Sequence, residues 1–204
     1  MAGSERLLKK LFGWSIVACV IVPAVAVSAI VATDYVRTWR VCSRFAALPP
    51  AEQIRWLQQA SAKRDARFAQ VIRSTLETAT DRAVVEAAGS AAMRIRAIDL
   101  LPLVQKRADE GPDDGRRAEL IMSAARLSDR DSRLYDWLVQ GAKSDELWRA
   151  AGSAIGLLYI GRAEAGPMLI DIIRKGPPAI QADAMRHLAY VVRPMAETVG
   201  EPIA

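Results

Sequence analysis

Polar and apolar positions fall into two regimes along this chain. Residues 11–33, LFGWSIVACVIVPAVAVSAIVAT, are 23 consecutive positions without a charge, and about 20 apolar residues suffice for a helix to cross the hydrocarbon of a bilayer. Beyond Asp34 the apolar residues recur at helical spacing in short runs, and the runs come in pairs. The first members carry Phe68, Val71, Ile72 and Leu76, then Leu100, Leu103 and Val104, then Leu134, Trp137 and Leu138, then Met168, Leu169, Ile172 and Ile173. The second members are rich in small residues. The pentapeptide AAGSA stands at Ala87 to Ala91 and again at Ala150 to Ala154; Ala118 falls midway, and Ala182 opens a fourth copy. These alanines are 31, 32 and 32 residues apart, a period that marks a repeat architecture.

Gly111-Pro112-Asp113-Asp114, Lys143-Ser144-Asp145 and Gly176-Pro177-Pro178 punctuate the hairpins, with Ser128-Asp129 and Gly166-Pro167 between them. No run of alternating β-branched residues bounded by turns is present, so strands are not expected. The reading is an all-α chain with these bounds: a basic tail over 1–10, a transmembrane helix over 11–33, a basic juxtamembrane and capping segment over 34–62, four helix hairpins over 63–192, and a frayed tail over 193–204. In the capping segment, Pro49-Pro50 open a helix bearing Ile54, Trp56 and Leu57, which closes the end of the stack.

The sequence Gly166-Pro167-Met168-Leu169, a Gly-Pro turn and an alanine-led helix from Ala182 resemble a HEAT repeat, and the short period is similar to the HEAT-like repeats of the phycobilisome-lyase type. The resemblance covers residues 64–192. The family's regular aspartate and arginine pair at the hairpin turn is lacking, and Arg117 and Arg149 stand in the arginine's place with Asp113 and Asp145 ahead of them. What the resemblance implies is a right-handed solenoid of helix pairs that binds other proteins; it implies no chemistry.

For the apolar run, Trp14 near one end and Tyr35 and Trp39 beyond the other match the aromatic belts of membrane interfaces. Pro23 sits mid-run, where a kink is tolerated if neighbours satisfy the freed carbonyl. Ala24, Ser28 and Ala32 place small side chains on one stripe, a docking face for another membrane helix or the chance spacing of an alanine-rich segment. Two processing routes compete with retention: a secretory signal cut after Ala26 or Ala29, and lipidation of Cys19 behind Ile16-Val17-Ala18. Retention fits the length best. A short basic N-tail resists translocation, so the orientation read is N-terminus cytoplasmic and helical domain on the outer side of the inner membrane.

The net charge is +5, of which two lie before the apolar run and three after it. Residues 34–73 concentrate eight basic side chains, among them Arg37, Arg40 and Arg44, against Asp34, Glu52 and Asp65. Anionic lipid headgroups are a partner class that this charge admits; solvated helix faces are the alternative. A basic surface gathered for nucleic acid is not present.

Chemistry is sparse. His187 is the one histidine, too little for the common zinc sites or for a serine nucleophile's base. Asp109-Glu110, Asp113-Asp114, Asp129 and Asp131 fall at predicted helix ends, where carboxylates cap backbone N–H groups. Cys42 is a covalent handle only if the chain is lyase-like. The expectation is therefore a non-enzymatic interaction subunit of a larger membrane complex. Its partners would be integral membrane proteins, with no cofactor, metal, nucleic acid or small-molecule substrate. Arg37, Arg40, Arg44, Trp56, Trp148 and Arg149 are the candidate contact residues. The alternatives are a cofactor-handling, lyase-like protein and an envelope or secretion factor freed by signal cleavage.

Overall fold

The computed structural model describes residues 22–128 and 131–199, with side chains from residue 27 through residue 189. These residues are helical and contain no strand, as the absence of period-two alternation predicts. They divide into two compact units after Phe45.

The first unit holds helix α1, Val22–Arg44. Val27, Ile30, Val31, Tyr35, Val36 and Trp39 are exposed along it, while Thr38 is buried. No helix among the described residues is long and apolar enough to cross a membrane. Helix α1 contains the second half of the uncharged run and then carries Asp34, Arg37, Arg40 and Arg44. Trp14 and the first half of the run lie outside the described residues. Pro23 and Ala24 are helical, and Ser28 and Ala32 are exposed on α1.

The second unit holds α2 (Pro50–Lys63), α3 (Ala69–Thr78), α4 (Arg82–Ile95), α5 (Leu101–Glu110), α6 (Gly115–Leu127), α7 (Ser132–Ala142), α8 (Leu147–Tyr159), α9 (Ala165–Lys175) and α10 (Pro178–Val199). Helices α3/α4, α5/α6, α7/α8 and α9/α10 pack as hairpins. The second helices also pack successively on one another, with α2 at the head of the row: α2 on α4, α4 on α6, α6 on α8, and α8 on α10. The first helices begin at 69, 101, 132 and 165 and the second at 82, 115, 147 and 178, spacings close to those of the alanines.

The close approach of the second helices explains their composition. A Cβ placed on Gly152 of α8 meets Ala118 Cα of α6 at 2.8 Å, and one on Gly156 meets Ala125 Cβ at 3.0 Å. Larger side chains at these crossings would hold the backbones apart. Between the two rows, Leu57, Ile72, Leu76, Leu100, Ile121, Leu134, Leu138, Ile155, Leu157, Leu169 and Ile180 are fully buried. Full burial of each stabilises by about 1.5–3 kcal/mol.

A backbone feature repeats with the same period. Arg64 after α2 and Arg96 after α4 are left-handed, at φ 52° and 59°, and each is followed by a 3-10 turn leading into the next helix. Gly161 takes the left-handed position after α8 at φ 76°. Helix α2 therefore ends as the second helices α4 and α8 do.

Helix α10 is described as far as Val199, and residues 200–204 of the stretch read as a tail lie outside the described residues.

Candidate functional site

Acidic residues fix the helix starts. Asp81 accepts from the N–H groups of Ala83 and Val84, Asp114 from those of Arg116 and Arg117, and Asp131 from those of Arg133 and Leu134. These are ordinary N-caps. Asp113 does something else: its two oxygens accept from the N–H groups of Trp148 at 3.1 Å and Arg149 at 2.9 Å, so it caps α8 from the preceding hairpin.

Around this contact lies a lattice of charge. Arg117, 2% exposed, places Nη1 3.0 Å from Glu146 Oε1 and 3.9 Å from Asp113, and Nη2 donates to Asp109 O at 3.5 Å. Its Nε has no hydrogen-bond partner among the described residues, and the Nη1 contact is an ion pair without hydrogen-bond alignment. The Arg117 guanidinium holds the Glu146 carboxyl below the usual carboxylate range. Arg149 reaches Asp109 at 3.0 Å and Glu146 at 3.7 Å, and Trp137 Nε1 donates to the other Asp109 oxygen at 3.0 Å. Arg149 is thus engaged between hairpins, and its partners are Asp109 and Glu146 rather than Asp145, four residues ahead of it. Glu146 stands three residues ahead of Arg149, and Asp109 is brought alongside by the stacking of the hairpin of α5 and α6 on that of α7 and α8. Trp148 is half-buried, its ring against Gly115 and its side chain packed on the buried group that includes Met122, Ala151, Ile155 and Ile180. Trp56 is half-buried and stacks on Phe68 at 6.4 Å. Among the named contact residues, Arg37, Arg40 and Arg44 are exposed on α1.

The row of second helices forms an open cleft of about 380 Å³, lined by Glu86 of α4, Arg116 and Glu119 of α6, Trp148 of α8, and Asp183 and Arg186 of α10. Arg116 Nε stands 3.4 Å from Glu86, and Arg186 3.2 Å from Asp183. A second cleft continues over α2 and α4, lined by Ile54, Gln58, Ser61, Ala87 and Ser90, and shares Glu86 and Arg116. Loss of hydration, with Asp183 and Glu86 nearby, raises the Glu119 carboxyl above its ordinary range. Glu86 is raised by the same loss, against the pull of Arg116. The sequence reading missed this face. Its signal was an acidic residue beside three of the four repeat alanines: Glu86 by Ala87, Glu119 by Ala118 and Asp183 by Ala182.

At the far end of the row, Tyr159 Oη and His187 Nδ1 are hydrogen-bonded at 2.8 Å, and the Arg126 guanidinium lies 4.9 Å from the tyrosine ring centroid. Burial lowers the His187 pKa, with Asp183 opposing. The arrangement ties α10 to α8. No group of three or more potential metal ligands occurs among the described residues, and Cys42 is half-buried in α1. What the cleft offers chemically is matched charge, hydrogen-bonding groups and one indole.

No protein-family model matches the chain, and no curated protein and no solved structure matches it significantly.

Proposed function

We propose that this chain is a membrane-anchored, non-catalytic interaction subunit: residues 11–33 hold it in the inner membrane, and a HEAT-like stack of four hairpins presents the row of second helices to a membrane protein complex. The observation that carries the reading is the joint occurrence of a 23-residue uncharged run and a row of helices sharing one charge-bearing face with clefts. Repeat stacks present such surfaces because each hairpin contacts only its neighbours, leaving one side of every second helix to face outward. The face carries the ion pairs Arg116–Glu86 and Arg186–Asp183, and complementary charge across an interface steers encounter and selects partners.

The experiment is recovery of the C-terminally tagged full chain from native membranes in mild detergent, with copurifying proteins identified by mass spectrometry. Stoichiometric membrane proteins, lost in a variant carrying E86K, E119K and D183K, support the reading. A chain recovered without detergent and lacking the residues up to Ala26 or Ala29 overturns the anchor, and unchanged partners in the triple variant overturn the assignment of the face.

A further inference from the structure

We propose that the exposed basic face of α1 binds the headgroup phosphates of anionic phospholipids on the leaflet from which the helical domain emerges. The inference rests on the anchored reading and adds a ligand to it. Arg37, Arg40 and Arg44 recur at i, i+3 and i+7, which at 100° per residue places all three within about 60° of one another on the helix. All three are exposed. Helix α1 runs unbroken from within the uncharged run to Arg44, so their height above the hydrocarbon follows from the rise of the helix.

Counted from Thr33 at ~1.5 Å per residue, Arg37 stands roughly 6 Å beyond the apolar run, Arg40 roughly 10 Å and Arg44 roughly 16 Å. The headgroup zone is about 5–8 Å deep on each side. Arg37 lies within it, Arg40 reaches back with its aliphatic stem, and Arg44 remains near enough to feel the surface potential. Tyr35 and Trp39, 59% and 63% exposed, sit at the same levels on another side of the helix. Amphipathic rings of this kind settle at the headgroup boundary and fix the depth of the arginines.

Charge balance distinguishes this segment from the domain. From residue 46 onward the sequence sets 22 Lys and Arg against 21 Asp and Glu, close to balance. Between Thr33 and Phe45 the chain supplies one carboxylate, Asp34, to three arginines. A guanidinium matches a phosphate with two parallel hydrogen bonds, and attraction to an anionic leaflet is worth about fivefold in affinity per basic residue near the surface.

The full chain in mild detergent is given equimolar phosphatidylglycerol and phosphatidylcholine, and bound lipids are counted by native mass spectrometry. The expected result is a preference for phosphatidylglycerol of about tenfold or more, falling toward unity in an R37Q/R40Q/R44Q variant of unchanged helix content and persisting in R133Q/R174Q. Equal binding of the two lipids by the wild type, or a preference that survives in the triple variant, overturns the inference while the anchor stands. If the triple variant instead loses a copurifying acidic protein and the wild type shows no lipid preference, the face is a protein contact and the inference is wrong. A chain that needs no detergent and lacks the residues up to Ala26 or Ala29 removes the anchor and this inference together.

Discussion

Substituting alanine for Gly152 tests the closest contact in the row of second helices. In an open helix the change gains about 1 kcal/mol, because alanine restricts the unfolded chain and exposes less backbone. Here the new Cβ meets Ala118 Cα at 2.8 Å, Ala118 O at 3.1 Å and Ala118 Cβ at 3.1 Å. Two of these are backbone atoms, which cannot swing aside as a side chain does. Overpacking costs about 1–3 kcal/mol, and with backbone as the obstacle the upper end applies. The net expectation is a loss of about 2 kcal/mol, a fall in Tm of about 4–8 °C for a domain of this size. Gly166 is the control: nothing lies within 4 Å of its added Cβ, so G166A should be neutral or gain about 0.5 kcal/mol. Unfolding of both variants of the full chain by urea, followed by far-ultraviolet circular dichroism, measures the difference. If G152A is as stable as the wild type, α6 and α8 are not at backbone contact and the packing account of the small-residue helices fails.

Other expectations follow from single residues. R96G should stabilise by about 0.5–1 kcal/mol, since the left-handed φ of 59° costs an arginine about 1–2 kcal/mol and a glycine less; a lower Tm for R96G contradicts this. D113A should cost about 1–2 kcal/mol by uncapping α8 across the hairpins, whereas D145A should change stability little; equal effects in denaturant unfolding refute the long-range cap. For His187, burial lowers the folded pKa below the ordinary 6.5, so the unfolded state takes up its proton first as pH falls. Its contribution is complete above about pH 6.5 and is lost as pH drops through that value toward the folded pKa. H187Q should flatten the stability profile between about pH 7 and 5, and an unchanged slope sinks the assignment. Glu119 and Glu86, raised in the folded protein, act in the opposite sense nearer pH 4.5.

Much of the fold was legible from local physics. The all-helical character followed from helical spacing without alternation. The places where the second helices approach closely followed from the alanine and glycine they carry, because only small side chains allow backbones to meet. Asp114 and Asp131 were readable as caps, since a cap bonds its own helix two or three residues on, and the sequence contains both ends of that bond.

The tertiary structure decided what depends on which hairpin lies beside which. Asp113 and Asp114 are adjacent and chemically identical, yet one caps its own helix and the other caps α8, 35 residues away. Arg149 pairs locally with Glu146, three residues ahead of it, while its second partner, Asp109, is brought to it only by the stacking of hairpins. Glu86, Glu119 and Asp183 are unremarkable as polar positions on three separate helices, and become one cleft because the second helices pack in a row. A repeat period fixes the spacing of the hairpins along the chain, while the partners of a charged side chain are set by distances between hairpins, which exist only once the stack has formed.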